Sequence, residues 1–249
     1  MLRATAIVAS FVPIQAWAID SEIHVYDDSI AVPGTLNLTL HNNYVASGAR
    51  TANDTGLVPN HSLTGGAEWT YGAAPWLECG AYFPILSYTQ GGHLTLDGSE
   101  LRVLVLPTAA PERHYFYGAN LALGFNNRGW NEHRVSAQIK PIVGAHWGAV
   151  TLTLNPALES DLDGVSNLEL APSERLSVEA PREWTVALEH YAQLGPIRHL
   201  RAASTTEEEL FAVVAHRIGA ITIESGAGFG LTAASDHLTV KVILSFDLR

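Results

Sequence analysis

The chain reads as an all-β protein, an antiparallel transmembrane β-barrel of about twelve strands. Three observations predict this. Hydrophobicity alternates with a period of two, tight and long connections largely alternate, and an export signal precedes the first strand.

The alternation is seen in Leu36, Leu38 and Leu40 against Asn37, Thr39 and His41. It recurs in Val150, Leu152 and Leu154 against Thr151, Thr153 and Asn155, and in Leu238, Val240 and Val242 against Thr239 and Lys241. Successive strand side chains point to opposite faces, so a period of two marks strands with one apolar face. Strands are predicted near 35–44, 66–73, 76–84, 100–107, 115–125, 133–145, 149–158, 167–178, 183–192, 209–218, 220–230 and 237–247. Most are close to the roughly nine to eleven residues that a tilted strand needs to cross a bilayer.

Tight connections fall at Ala74-Pro75, Trp147-Gly148, Pro181-Arg182 and Ile218-Gly219. Longer polar ones fall at Val45–Gly65, through Gly91-Gly92, and at Asn126–Glu132, Glu159–Ser166, Gln193–Glu208 and Thr232–Asp236, with a shorter loop around Pro111. Outer-membrane barrels have short periplasmic turns and longer outer loops, which puts both termini on the periplasmic side. A soluble β-sandwich is the competing fold, and it would show no such rhythm.

At the N-terminus, Arg3 is followed by the apolar run Ala4–Ile14 and by Ala16-Trp17-Ala18. This is the layout of a secretory signal, too short to span a membrane as a helix. The expected domains are therefore a cleaved signal peptide over 1–18 and an outer-membrane barrel over 19–249 with a short N-terminal extension. Past residue 18 no apolar run is long enough for a helical span. A membrane location then demands a closed barrel, because lipid cannot satisfy open sheet edges.

Charged residues make up only 16% of the chain, which suits a β-protein that exposes apolar surface to lipid. The net charge of −11 argues against nucleic acid as a partner. The single cysteine, Cys79, can form no internal disulfide and reads as a small strand residue.

The alternation assigns Leu36, Leu38, Trp69, Tyr71, Leu77, Phe83, Val103, Tyr115, Tyr117, Leu121, Leu123, Val135, Ile139, Leu152, Leu154, Trp184, Val186, Leu188, Phe211, Val213, Ile221, Ile223, Val240, Val242 and Phe246 outward. Inward, lining the lumen, are Glu68, Glu78, Arg102, Asn120, Arg134, Gln138, Lys140, Asn155, Glu169, Arg175, Glu189, Glu224 and Lys241. A charge on the lipid face at mid-depth costs roughly 2–4 kcal/mol, whereas in the lumen it can stay wet or pair. This lining suits two roles, a structural ion-pair network and a polar conduit. Glu224 and Lys241 are expected to pair, because a short loop joins their strands. Glu174 falls on the outward side, and a bulge at Pro172 is the expected remedy.

Enzyme motifs are missing: there is no G-x-S-x-G, no H-E-x-x-H and no C-x-x-C. His41, His190 and His216 lie in predicted strands, where a hydrogen-bonded wall residue is the plain reading. Asp161-Leu162-Asp163-Gly164 lacks the remaining ligand spacing of a calcium loop and reads as a turn. No catalytic residue, metal site or cofactor is expected.

Tyr71-Gly72, then Pro75-Trp76-Leu77-Glu78-Cys79-Gly80 and Phe83-Pro84, form a strand–turn–strand unit. With Trp147-Gly148 and the final Gly226-Ala227-Gly228-Phe229-Gly230-Leu231-Thr232, Ser235-Asp236 and Leu238, it resembles the bacterial outer-membrane transporters grouped under the meta-pathway of phenol degradation. The resemblance covers most of 34–248 and rests on hairpin motifs. It implies insertion among outer-membrane lipids by the barrel-assembly machinery, and passage of small, partly apolar or aromatic solutes. The other reading is a structural, adhesive or lipid-modifying barrel without an open pore. Where such barrels often end on an aromatic residue, Phe246 is here followed by Asp247-Leu248-Arg249.

Overall fold

A computed structural model describes residues 22–51, 57–89, 91–107, 114–127, 134–162 and 168–248. The signal-peptide expectation for 1–18 lies outside these residues, as does the Asp163-Gly164 half of the candidate calcium turn.

The chain forms a closed antiparallel barrel of twelve strands. They are β1 (Leu36–Ser47), β2 (Leu63–Ala74), β3 (Leu77–Tyr88), β4 (Leu94–Val105), β5 (Tyr115–Asn126), β6 (Val135–Trp147), β7 (Val150–Ser160), β8 (Glu169–Ala180), β9 (Trp184–Gln193), β11 (Glu207–Ile218), β12 (Ile221–Gly230) and β13 (Leu238–Leu248). A two-residue annex, β10 (Gly195–Pro196), pairs with the start of β8 inside the β9–β11 connection. Each wall strand pairs with its neighbours in the chain. Closure comes from β1 against β13, with Leu36 opposite Leu248. Strand lengths run from 10 to 13 residues, enough for a tilted bilayer crossing.

The turn chemistry matches the rim. Gly148 (φ 64) and Gly219 (φ 63) each hold the first position of a two-residue hairpin loop, where the primed turns demand positive φ. Connections 75–76, 148–149, 181–183 and 219–220 lie at one rim with the start of β1 and the end of β13. Residues 106–107 and 114 lie at the same rim. The opposite rim carries 48–51, 57–62, 89, 91–93, 127, 134, 161–162, 168, 194–206 and 231–237.

The outer wall is an apolar belt. Trp69, Tyr71, Phe83, Leu101, Tyr115, Tyr117, Leu121, Ile139, Leu154, Val186, Leu188 and Ile223 are all exposed. A continuous apolar surface around a closed barrel is the surface lipid requires. Two outward expectations and one expected bulge need correction. Phe211 and Val213 face inward and are buried, while Leu210 and Val214 are exposed. That strand is apolar on both faces, so alternation could not orient it. Pro172 causes no bulge either: β7 and β8 run in unbroken register through Pro156 opposite Pro172. Glu174 does face outward, and it is met there by His190 Nδ1 at 2.9 Å.

Candidate functional site in the barrel lumen

The structure places Glu68, Glu78, Arg102, Asn120, Lys140, Asn155, Glu169, Arg175, Glu189, Glu224 and Lys241 on the inward side of their strands, all buried. Gln138 is half-buried on the same side of β6 as Lys140, and its Nε2 donates to Glu159 Oε1 at 2.8 Å. Arg134 is the exception. It is exposed in the connection before β6, at the rim rather than in the buried lumen, because the strand starts at Val135.

What fills the space between these walls is the chain's own N-terminal segment, residues 22–31. Its contacts come from strands all around the barrel, which only an interior position allows. Tyr26 N–H donates to Asn155 Oδ1 at 2.8 Å, and Asn155 Nδ2 donates back to Tyr26 O at 2.9 Å. Ala31 N–H donates to Glu78 Oε2 at 2.7 Å, and Lys241 Nζ donates to Ile23 O at 3.3 Å. The segment carries two apolar anchors. Tyr26 packs with Leu104, Leu106, Phe116 and Ile142, and Ile23 with Ala187, Phe211 and Val213. It leaves at the short-turn rim, where Gly34 N–H donates to Gly72 O at 2.7 Å before β1 begins. A Cβ on Gly72 would meet the Ala31 and Val32 carbonyls, so a glycine is needed for this close approach.

Two ionic clusters hold wall and segment together. In the first, Arg102 binds Glu68 through Nε and Nη2, and its Nη2 lies 2.6 Å from Glu78 Oε1. His41 Nε2 lies 3.1 Å from Glu68 Oε2. The segment contributes Glu22, which accepts from Tyr26 Oη and Tyr82 Oη, each at 2.5 Å, and has Lys140 Nζ at 3.8 Å. In the second, Arg175 binds Glu189 and lies 3.0 Å from Glu224, while Lys241 Nζ lies 2.6 Å from Glu189 and 2.9 Å from Glu224. Glu224 and Lys241 are diagonal neighbours, since Lys241 sits opposite Gly226. The expected pair therefore forms, inside a larger tetrad. Desolvated charges persist only with such mutual pairing.

Cross-strand glycines make room for this filling. Gly80 lies opposite Arg102 and Gly226 opposite Lys241, and a Cβ at either would press on the long side chain. Gly144 lies under the Phe116 ring and Gly228 under Phe211 in the same way.

Among the described residues, Glu22, His41 and Glu68 bring ligand atoms within 4.8 Å of one another. Their oxygens are already held by Arg102, Tyr26 and Tyr82, and two cations beside them oppose a metal ion. On the outer wall His216 stacks on Trp184 with centroids 4.1 Å apart, a wall contact. Cys79 is an exposed residue of β3.

A closed, all-next-neighbour antiparallel barrel with an apolar outside and a charged inside is the fold of outer-membrane porins. Two solved structures share it. The KdgM porin, solved in complex with disordered oligogalacturonate, matches with TM-score 0.56 at 6% identity, over 86% of this chain and 99% of that one. The NanC porin matches with TM-score 0.56 at 7% identity, over 86% and 99%. No family model matches the chain, and no curated protein matches it. The grouping with the phenol-pathway transporters therefore rests on the hairpin motifs alone.

Sequence reasoning missed the segment. Glu22-Ile23-His24-Val25-Tyr26 alternates as a strand does, but it offers no local sign of where it docks. Phe116 and Ile142 were missed as lumen residues because they break the polar-in pattern.

Proposed function

We propose that this protein is an outer-membrane channel for small solutes, partly apolar or aromatic ones among them, closed at rest by residues 22–31. The observation that carries the reading is a closed barrel with a charged interior and, as its stopper, an N-terminal segment seated there by non-covalent contacts alone. The solute class rests on the hairpin resemblance. Charges of both signs line the lumen, so a strong ion preference is not expected. The reading is non-enzymatic. The partners are outer-membrane lipid and the barrel-assembly machinery, with the short-turn rim and both termini in the periplasm. Cleavage after Ala18 fits a stopper, since only residues 19–21 would then precede Glu22, which already lies in the lumen.

Planar-bilayer recordings test it. The intact mature chain should show low, intermittent conductance. A variant lacking 22–31 should conduct steadily, and a strain lacking the protein should take up aromatic substrates more slowly than its parent.

A second reading is a structural barrel with no pore. It is favoured by the buried ion pairs and two apolar anchors that seat the segment. If neither form conducts and uptake is unchanged, this reading replaces the first.

A further inference from the structure

The segment that fills the lumen presents two chemical groups side by side, and the wall receives each in a built pocket. The Tyr26 ring packs on Leu104, Phe116 and Ile142. The Arg102 guanidinium carbon lies 5.2 Å from the ring centroid and Lys140 Nζ 5.0 Å, so two cations lie within cation–π range of the ring. Next to the phenol oxygen is the Glu22 carboxylate, 2.5 Å away. It takes a hydrogen bond from Tyr82 Oη and has Lys140 Nζ at 3.8 Å. Lys140 thus serves both groups. Every one of these wall residues is buried, and all face the lumen.

We infer that the Tyr26–Glu22 pair occupies a lumen subsite for an aryl carboxylic acid, and that such a solute takes this place when the segment withdraws. The inference rests on the channel reading and narrows it. The apolar floor takes a ring, the two cations favour its π face, and Tyr82 with Lys140 takes a carboxylate. The short gap between phenol and carboxylate matches a ring and acid joined by one methylene, as in an arylacetate. A ring without the acid loses the attraction between Lys140 and the carboxylate. A ringless acid loses the apolar floor, where burial contributes roughly 25 cal/mol per Å².

The test vacates the subsite in the full-length barrel with Glu22→Ala and Tyr26→Ala together. Thermal unfolding is followed with phenylacetate, with neutral phenylacetamide, and with galacturonate. Phenylacetate should raise the melting temperature of the double variant saturably, and should bind at least tenfold tighter than phenylacetamide. Adding Lys140→Met should remove that preference. The intact chain should respond weakly, because its own side chains compete. Equal binding of phenylacetamide, a preference for galacturonate, or an equal response of the intact chain would overturn the inference. If the double variant does not fold, Tyr26→Ala alone is titrated with p-cresol, and no saturable stabilisation there counts against it too. Conductance separates the two levels. A conducting barrel that ignores phenylacetate sinks the subsite and spares the channel. Phenylacetate binding without conductance by the segment-deleted form does the reverse.

Discussion

Asn155 holds the backbone of Tyr26 in both directions, its Oδ1 accepting from Tyr26 N–H at 2.8 Å and its Nδ2 donating to Tyr26 O at 2.9 Å. Asn155 is fully buried on β7, so both bonds form away from water. A side-chain amide that satisfies a backbone donor and acceptor together fixes the depth of the segment as a strand partner would, without a strand.

Asn155→Ala should therefore loosen the segment more than the wall. It orphans a buried N–H and a buried C=O, at about 1–3 kcal/mol for each group. Faster proteolysis after residue 22 and longer conducting bursts, with the folded barrel retained, are the expected readouts. Unchanged cleavage would show that the apolar anchors alone seat the segment.

Lys241→Met leaves Arg175 as the cation that Glu189 and Glu224 share, with Tyr191 Oη still donating to Glu189. Removing one partner of a buried ionic network costs about 3–5 kcal/mol, and urea unfolding in vesicles should register a loss of that size. Glu224→Gln combined with Lys241→Met should recover part of it, since the remaining charges then balance. Additive losses would mean that the tetrad is not one unit.

Gly228→Leu should destabilise by about 1–3 kcal/mol, because a side chain there drives into the Phe211 ring. Phe211→Ala in the same chain should relieve the clash. The pair of substitutions should thus cost less than the sum of the two single losses.

Asp236, in the connection before β13, offers a pH readout. Burial pushes its carboxyl above the ordinary value of 3.8, against the opposing hydrogen bond from Ala49 N–H. A carboxyl raised in the folded state binds protons more readily there than in the unfolded chain. Its contribution is complete below the unfolded value and is lost as pH rises through the folded one. Asp236→Asn, which keeps the acceptor oxygen, should be more stable than the parent above that window and equal to it well below.

Much of the wall was legible in the sequence. Leu36, Leu38 and Leu40 against Asn37, Thr39 and His41 sufficed to predict a strand, since the pleat alone converts a period of two into two faces. The pairing of Glu224 with Lys241 followed from their strands being consecutive in the chain, because hairpin neighbours are local. Local patterning failed where both faces are apolar, as at Phe211 and Val213. It placed Glu174 outward correctly, and the bulge at Pro172 was the error, because His190 partners that charge on the outer wall.

The sequence by itself determined the barrel, its strand count, its rims and most of its inward charges, because each follows from contacts between chain neighbours. Only the tertiary structure decided what the lumen holds. Tyr26 meets Asn155 across 129 residues of sequence, and Ile23 meets Lys241 across 218. No local periodicity encodes such contacts: they exist once twelve strands have closed around a space, and the segment enters because that space offers its ring, its carboxylate and its backbone partners that water would otherwise supply.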